Sequence, residues 1–205
     1  MSLRTTVTAL AIAVAGFAAP AGAQNATFTD IRDAVPLRFF SSAQTAIEPG
    51  APNTLVIGFE TGTNSFRASA EVGNLIGTRL AADTLSFTVN APPGHYVSSI
   101  TCHLSGLGAV NTPGDARAAA NWVVNGQPLD LGFVGGTQFP AGGAAWSRSQ
   151  TTQFSDSTLA VVPVSLTTQL FAFAASASAS AEVQLTSATI VVSVLPVAAA
   201  ASSRE

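Results

Sequence analysis

Two histidines, one cysteine and eleven acids are the residues in this chain best suited to catalysis or metal binding, and their spacing limits both. His95 and His103 offer two imidazoles at most, and Cys102 is the immediate neighbour of His103. Neighbouring side chains on an extended strand point to opposite faces, so Cys102 and His103 do not converge on one ion. Zinc sites use three or four ligands at recognisable spacings, and no such set occurs. No Gly-x-Ser-x-Gly elbow is present to carry a serine nucleophile. Glycoside cleavage needs a pair of carboxyl groups within about 10 Å of each other. Glu60, Glu71 and Glu182 fall at outward positions, and Asp83, Asp115 and Asp156 fall in expected connections, so the sequence pairs none of them. The pattern favours a non-enzymatic protein over a polysaccharide hydrolase.

For ligand binding the sequence is slightly richer. A sugar face presents flat aromatic surface, and Tyr96, Trp122 and Trp146 could supply it. Trp122 alternates with Asn121 and Val123 as a buried residue does. Trp146 stands in the loop-like context Gly-Gly-Ala-Ala-Trp-Ser-Arg-Ser, so Trp146, Arg148 and Tyr96 form the candidate ligand-binding set. Calcium is the one cofactor the composition suggests, because sandwich loops hold it with scattered oxygen donors. Asn111, Asp115 and Asn121, around a Gly- and Ala-rich stretch, are the candidate metal ligands.

The elements that must position these residues alternate with period two, the signature of strands with one buried face. Leu55, Ile57 and Phe59 form one inward set, Phe66, Ala68, Ala70 and Val72 a second, and Leu85, Phe87 and Val89 a third. Asn90-Ala91-Pro92-Pro93-Gly94 then breaks the pattern as a turn. Ile100, Cys102 and Leu104 face inward while His103 faces outward. Gly106 to Ala120 reads as a long loop with a helical turn at Asp115 to Ala120. Asn125-Gly126 is a strong hairpin signal between Trp122/Val124 and Leu129/Leu131/Phe133, and Gly135 to Gly143 is another glycine-rich connection.

Near the C-terminus Ala177, Ala179, Ala181, Val183 and Leu185 occupy odd positions, but Ala188, Ile190, Val192 and Val194 occupy even ones. A one-residue slip sends an apolar set to the opposite face, so a β-bulge is predicted at Thr186-Ser187. The whole reads as a single all-β domain, an antiparallel β-sandwich, with a jelly-roll arrangement preferred to an immunoglobulin-like one.

Arg4, an apolar run from Val7 to Ala19 and the small triplet Ala21-Gly22-Ala23 have the form of a cleavable secretory signal. The expected organisation is a signal over residues 1–23, the sandwich over 24–197 and a short flexible tail over 198–205. The expected location is extracellular or periplasmic, with no transmembrane anchor. The chain contains no lysine, carries a net charge of −3 and has only 9% charged residues, against about 25% in ordinary domains. Such a surface does not track phosphates, which argues against nucleic acid as a partner. With a single cysteine, no intramolecular disulfide can form.

The segment Leu85-Ser-Phe-Thr-Val-Asn-Ala-Pro-Pro-Gly-His-Tyr-Val-Ser-Ser-Ile-Thr, with Asn121-Trp-Val-Val-Asn-Gly and Val164-Ser-Leu-Thr-Thr-Gln-Leu-Phe-Ala-Phe-Ala, resembles exported bacterial proteins of the PEP-CTERM kind. That resemblance implies a β-sandwich associated with the cell surface or extracellular matrix. The sorting tail is replaced here by Val194-Leu195-Pro196-Val197 and Ser202-Ser203-Arg204-Glu205, so it implies free secretion rather than anchoring. The leading expectation is an exported structural or adhesive protein that binds extracellular polysaccharide or associates with itself. A carbohydrate-binding module is the alternative.

Overall fold

The computed structural model describes residues 25–33, 44–59, 65–71, 77–111, 113–135, 139–176 and 178–197. The expected signal, the tail, Val72, Ala177 and most of the expected turn between Glu60 and Ser65 lie outside them. Eleven strands are present and, among the described residues, no helix: β1 (Thr27–Asp33), β2 (Gln44–Glu48), β3 (Ala51–Gly58), β4 (Arg67–Glu71), β5 (Gly77–Asn90), β6 (His95–Asn111), β7 (Gly114–Val124), β8 (Gln127–Gly135), β9 (Ala144–Gln153), β10 (Val161–Ala174) and β11 (Ser180–Pro196). They form two antiparallel sheets. Sheet A has the order β1-β5-β10-β7-β8, and sheet B the order β2-β3-β11-β6-β9, with β4 also paired to β11.

The topology follows from one hairpin turn. At Asn125 and Gly126 φ is 49° and 76°, both positive, as the tight turn between two right-twisted strands requires. From that tip the strands pair outward in nested order, β7 with β8, β6 with β9, β5 with β10 and β4 with β11. Rolling this long hairpin adds the pairs β10–β7 and β11–β6. Two sheets of order 4-11-6-9 and 5-10-7-8 result, the eight-stranded jelly roll. Strands β1, β2 and β3 extend its edges.

The alternation seen in the sequence fills the space between the sheets. Leu55, Ile57, Phe66, Leu85, Val89, Ile100, Cys102, Trp122, Leu166, Leu170 and Ile190 are all buried there. Ala179, just before β11, and Ala181, Val183 and Leu185 on it are buried, then Ala188, Ile190 and Val192, and the pairing with β6 shifts between Leu185 and Ser187. The predicted bulge is therefore present where the parity changes. It lets one strand serve the core with both halves.

Gly106 to Ala120 departs from the expected loop and helical turn. It belongs to two long strands, β6 and β7, joined at residues 112–113. The small residues are there because rings from elsewhere occupy the space. A Cβ on Gly106 would lie 2.5 Å from the Trp146 ring, and one on Gly108 would lie 2.6 Å from the Phe139 ring. Asp83, expected in a connection, sits in β5, only 4% exposed, across from Thr168 of β10. Its Oδ1 accepts a hydrogen bond from the Thr84 backbone N–H at 2.8 Å.

Candidate functional site

The outer face of sheet B is made by odd-numbered residues of β6 and β9 and their partners on β11, β3 and β4. Row by row it carries Val56–Thr189–His103–Ser149, then Gly58–Ser187–Ser105–Ser147, then Arg67–Gln184–Leu107–Ala145, then Ser69–Glu182–Ala109. Short hydroxyl side chains dominate, and they pair across strands, Thr101 with Thr151 at 2.8 Å and Ser105 with Ser187 at 2.7 Å.

At the β4 end this face sinks into a groove of about 370 Å³, lined by Leu107, Ala109, Ala145, Glu182, Gln184 and the Gly142–Gly143 turn. Its size lies within the range of small-molecule sites. Leu107, 52% exposed, and the two alanines make an apolar floor. The rim is polar. Arg67 Nη1 lies 3.8 Å from Glu182 Oε1 with both side chains about 40% exposed, which keeps the rim close to neutral. Gln184 Nε2 is out of solvent and has no hydrogen-bond partner, a costly state for an amide donor.

The sequence-derived ligand set is distributed differently. Trp146 is on strand β9 rather than in a loop, points into the core and is 7% exposed. Its Nε1 donates to the Leu107 carbonyl at 3.2 Å, so from beneath the sheet it fixes the backbone of the residue that floors the groove. Arg148, two residues on, is half-buried on the same inner side and donates weakly to the Ser147 carbonyl at 3.5 Å. The crevice that Trp146 and Arg148 line with Leu131 and Thr168 has a volume of only about 10 Å³, the scale of a single water and too small for a ligand ring. The expected exposure of Trp146 is thus corrected. Gly106 faces it across the strand pair and leaves room for the indole, which packs into the core. Tyr96 lies opposite Leu195 near the other end of β6, about 36 Å along the strand from Leu107 at the usual rise.

The three candidate metal ligands do not converge. Asp115 and Asn121 are six positions apart on β7, about 20 Å at the usual strand rise. Asp115 Oδ2 accepts a hydrogen bond from Arg117 Nε at 2.5 Å. Asn111 Nδ2 donates to the Ser178 carbonyl at 3.3 Å, and exposed Asn121 lies opposite Thr167 and Asp130. The expected loop would have folded these donors around an ion, but the strand holds them apart. Among the described residues no group of three or more His, Cys, Asp or Glu side chains gathers to hold a metal.

Other titratable groups are dispersed too. His95 Nδ1 is 3.1 Å from the Pro93 carbonyl, and His103 stands eight residues further along β6 on the exposed face. Asp156 has its carboxyl pKa lowered by hydrogen bonds from the Thr158 hydroxyl and then the Thr158 backbone. Burial pushes the Cys102 thiol up to about 12. Glu182 is the one carboxylate among the residues lining the groove.

The groove was missed because its signal is not local. Leu107 and Ala109 belong to a segment whose composition predicts a loop, and Glu182 and Gln184 lie more than seventy positions later. The outward parity of Glu182 was the available clue.

No protein-family model and no curated protein matches the chain. Among solved structures, TmCBM61 in complex with beta-1,4-galactotriose is similar at 8% identity and a TM-score of 0.24, over 81% of this chain and 99% of that one. A structure described under "CBM4 structure and function" is similar at 13% identity and a TM-score of 0.21, over 76% and 78%. The β-sandwich class follows from the strand pairing itself.

Proposed function

We propose that this protein is a non-catalytic carbohydrate-binding β-sandwich, acting outside the cytoplasm, that holds a neutral saccharide in the groove on the outer face of sheet B. The observation that carries the reading is the groove's division into an apolar floor, Leu107, Ala109 and Ala145, and a hydrogen-bonding rim, Glu182 and Gln184. A pyranose has the matching shape, with C–H groups on its faces and hydroxyls around its edge. The charge match of Arg67 and Glu182 suits a neutral ligand better than an anionic one. Gln184, half-exposed in the groove wall, offers its side-chain amide to a sugar hydroxyl.

Calorimetric titration with neutral and acidic oligosaccharides tests this reading. Leu107→Asp and Gln184→Ala are each expected to weaken binding about tenfold or more, corresponding to about 1.4 kcal/mol, whereas Tyr96→Ala leaves it unchanged. Absence of saccharide binding, or binding indifferent to Leu107→Asp, would remove the assignment.

A further inference from the structure

The sheet edges differ in how they are protected against pairing with another chain. Natural edges are blunted by shortness, charge, proline or bulges. β1 carries Arg32 and Asp33, has a register shift between Thr29 and Arg32, and holds Asp30 at φ 53°. β2 has five residues, ends in Glu48 and shifts register between Ile47 and Glu48. β4 also has five residues, with Arg67 and Glu71 at its ends. β8 contains Pro128 and Asp130, and its pairing with β7 shifts between Ala119 and Asn121. Among the described residues β9 is the least protected, with one inward-pointing charge and neither shortness, proline nor a bulge. It runs ten residues without proline, pairs with β6 without interruption from Ser99/Gln153 to Gly108/Ala144, and has Arg148 as its single charge.

We propose that β9 is an assembly edge, on which a second copy of this chain pairs antiparallel about a two-fold axis between the two copies of Ser149. Such an axis stands perpendicular to sheet B, so outer residues must oppose outer residues and one residue must face its own copy across the axis. Two registers pair nine residues of β9. Centring on Arg148 sets that arginine against itself, which like-charge repulsion disfavours. Centring on Ser149 sets Arg148 against Gln150 of the second copy, Ser147 against Thr151 and Trp146 against Thr152, so no two charges meet. A pairing of this length gives about nine main-chain hydrogen bonds, within the roughly ten that protein interfaces carry. The two outer faces of sheet B then lie on one side of a continuous sheet, with both grooves presented together.

Sedimentation of the purified protein from micromolar to near-millimolar concentration should show a concentration-dependent dimer. Ser149→Lys with Thr151→Lys places like charges across the axis at exposed positions and should abolish it, with an unchanged circular dichroism spectrum. Mixing that variant with Ser149→Glu/Thr151→Glu should restore dimers between the two. Ser149→Cys should form an intermolecular disulfide, since opposed strand residues have the Cα separation such a bond needs and the native thiol of Cys102 is buried. A protein monomeric at every concentration overturns the proposal, as does a dimer that survives the paired lysines. Neither result bears on saccharide binding, because Ser149 and Thr151 do not line the groove.

Discussion

Ser105 and Gly106 are neighbours on β6, yet a side chain has very different consequences at the two positions. Ser105 looks outward and hydrogen-bonds to Ser187 on a face otherwise open to water. Gly106 looks inward, where a Cβ would stand 2.0 Å from the Gln184 carbonyl oxygen and 2.5 Å from the Trp146 ring. The same contrast holds three residues earlier, with Cys102 buried and His103 exposed. The inner face of sheet B is constrained by close packing, with little freedom to move. The outer face is free of that packing, so a groove can be built there without weakening the fold.

The largest expected effect comes from Gly106→Val. Overpacking a core typically costs about 1–3 kcal/mol, and here one of the obstructing atoms belongs to the β11 backbone, so a simple rotamer change does not relieve the clash. Destabilisation beyond about 3 kcal/mol is expected, read as a fall in the urea midpoint or as failure to fold. A stable Gly106→Val protein would mean that the inner face yields as easily as the outer one.

Next in size is a pH effect at Cys102. Burial opposes the thiolate, so the folded-state pKa rises from 9.0 to about 12. Between these values the unfolded chain has lost the thiol proton while the folded chain keeps it. This contribution to stability is therefore complete below about pH 9 and falls by about 1.4 kcal/mol per pH unit as pH rises toward 12. Urea unfolding of the wild type and of Cys102→Ala across that window should differ by this slope. Equal slopes would mean that Cys102 is reached by solvent.

The inner face was the more legible of the two in the sequence. Buried positions announce themselves by alternation, and at β11 even the change of parity marked the bulge between Leu185 and Ser187. Legibility failed where the apolar volume at a position is supplied by another strand. Gly106, Gly108, Ala116, Ala118 and Ala120 look like loop residues when read alone, because the rings of Trp146 and Phe139 that fill the space above the two glycines come from later in the chain. The same cause misplaced Trp146, whose Gly-Ala surroundings describe what it packs against rather than a flexible loop. Asp83 and Thr168, facing one another inside, reverse the usual association of polar residues with the surface. The candidate site was less readable still, since a groove on an outer face is defined by which rows lie side by side, and the sequence order does not contain that information.

The smallest expected effect, Ser105→Ala, sharpens the contrast most directly because it changes the residue next to Gly106. The hydroxyl is half-buried and its partner Ser187 Oγ, 2.7 Å away, lies at the same outer surface, where water can take its place. The net worth of such a bond is about 0.5–1.5 kcal/mol, and solvent access places Ser105→Ala at the lower end. Its urea midpoint should sit close to that of the wild type, with saccharide affinity unchanged because Ser105 does not line the groove. A loss comparable to that of Gly106→Val would show that the cross-strand hydroxyl rows, and not the packing between the sheets, hold sheet B together.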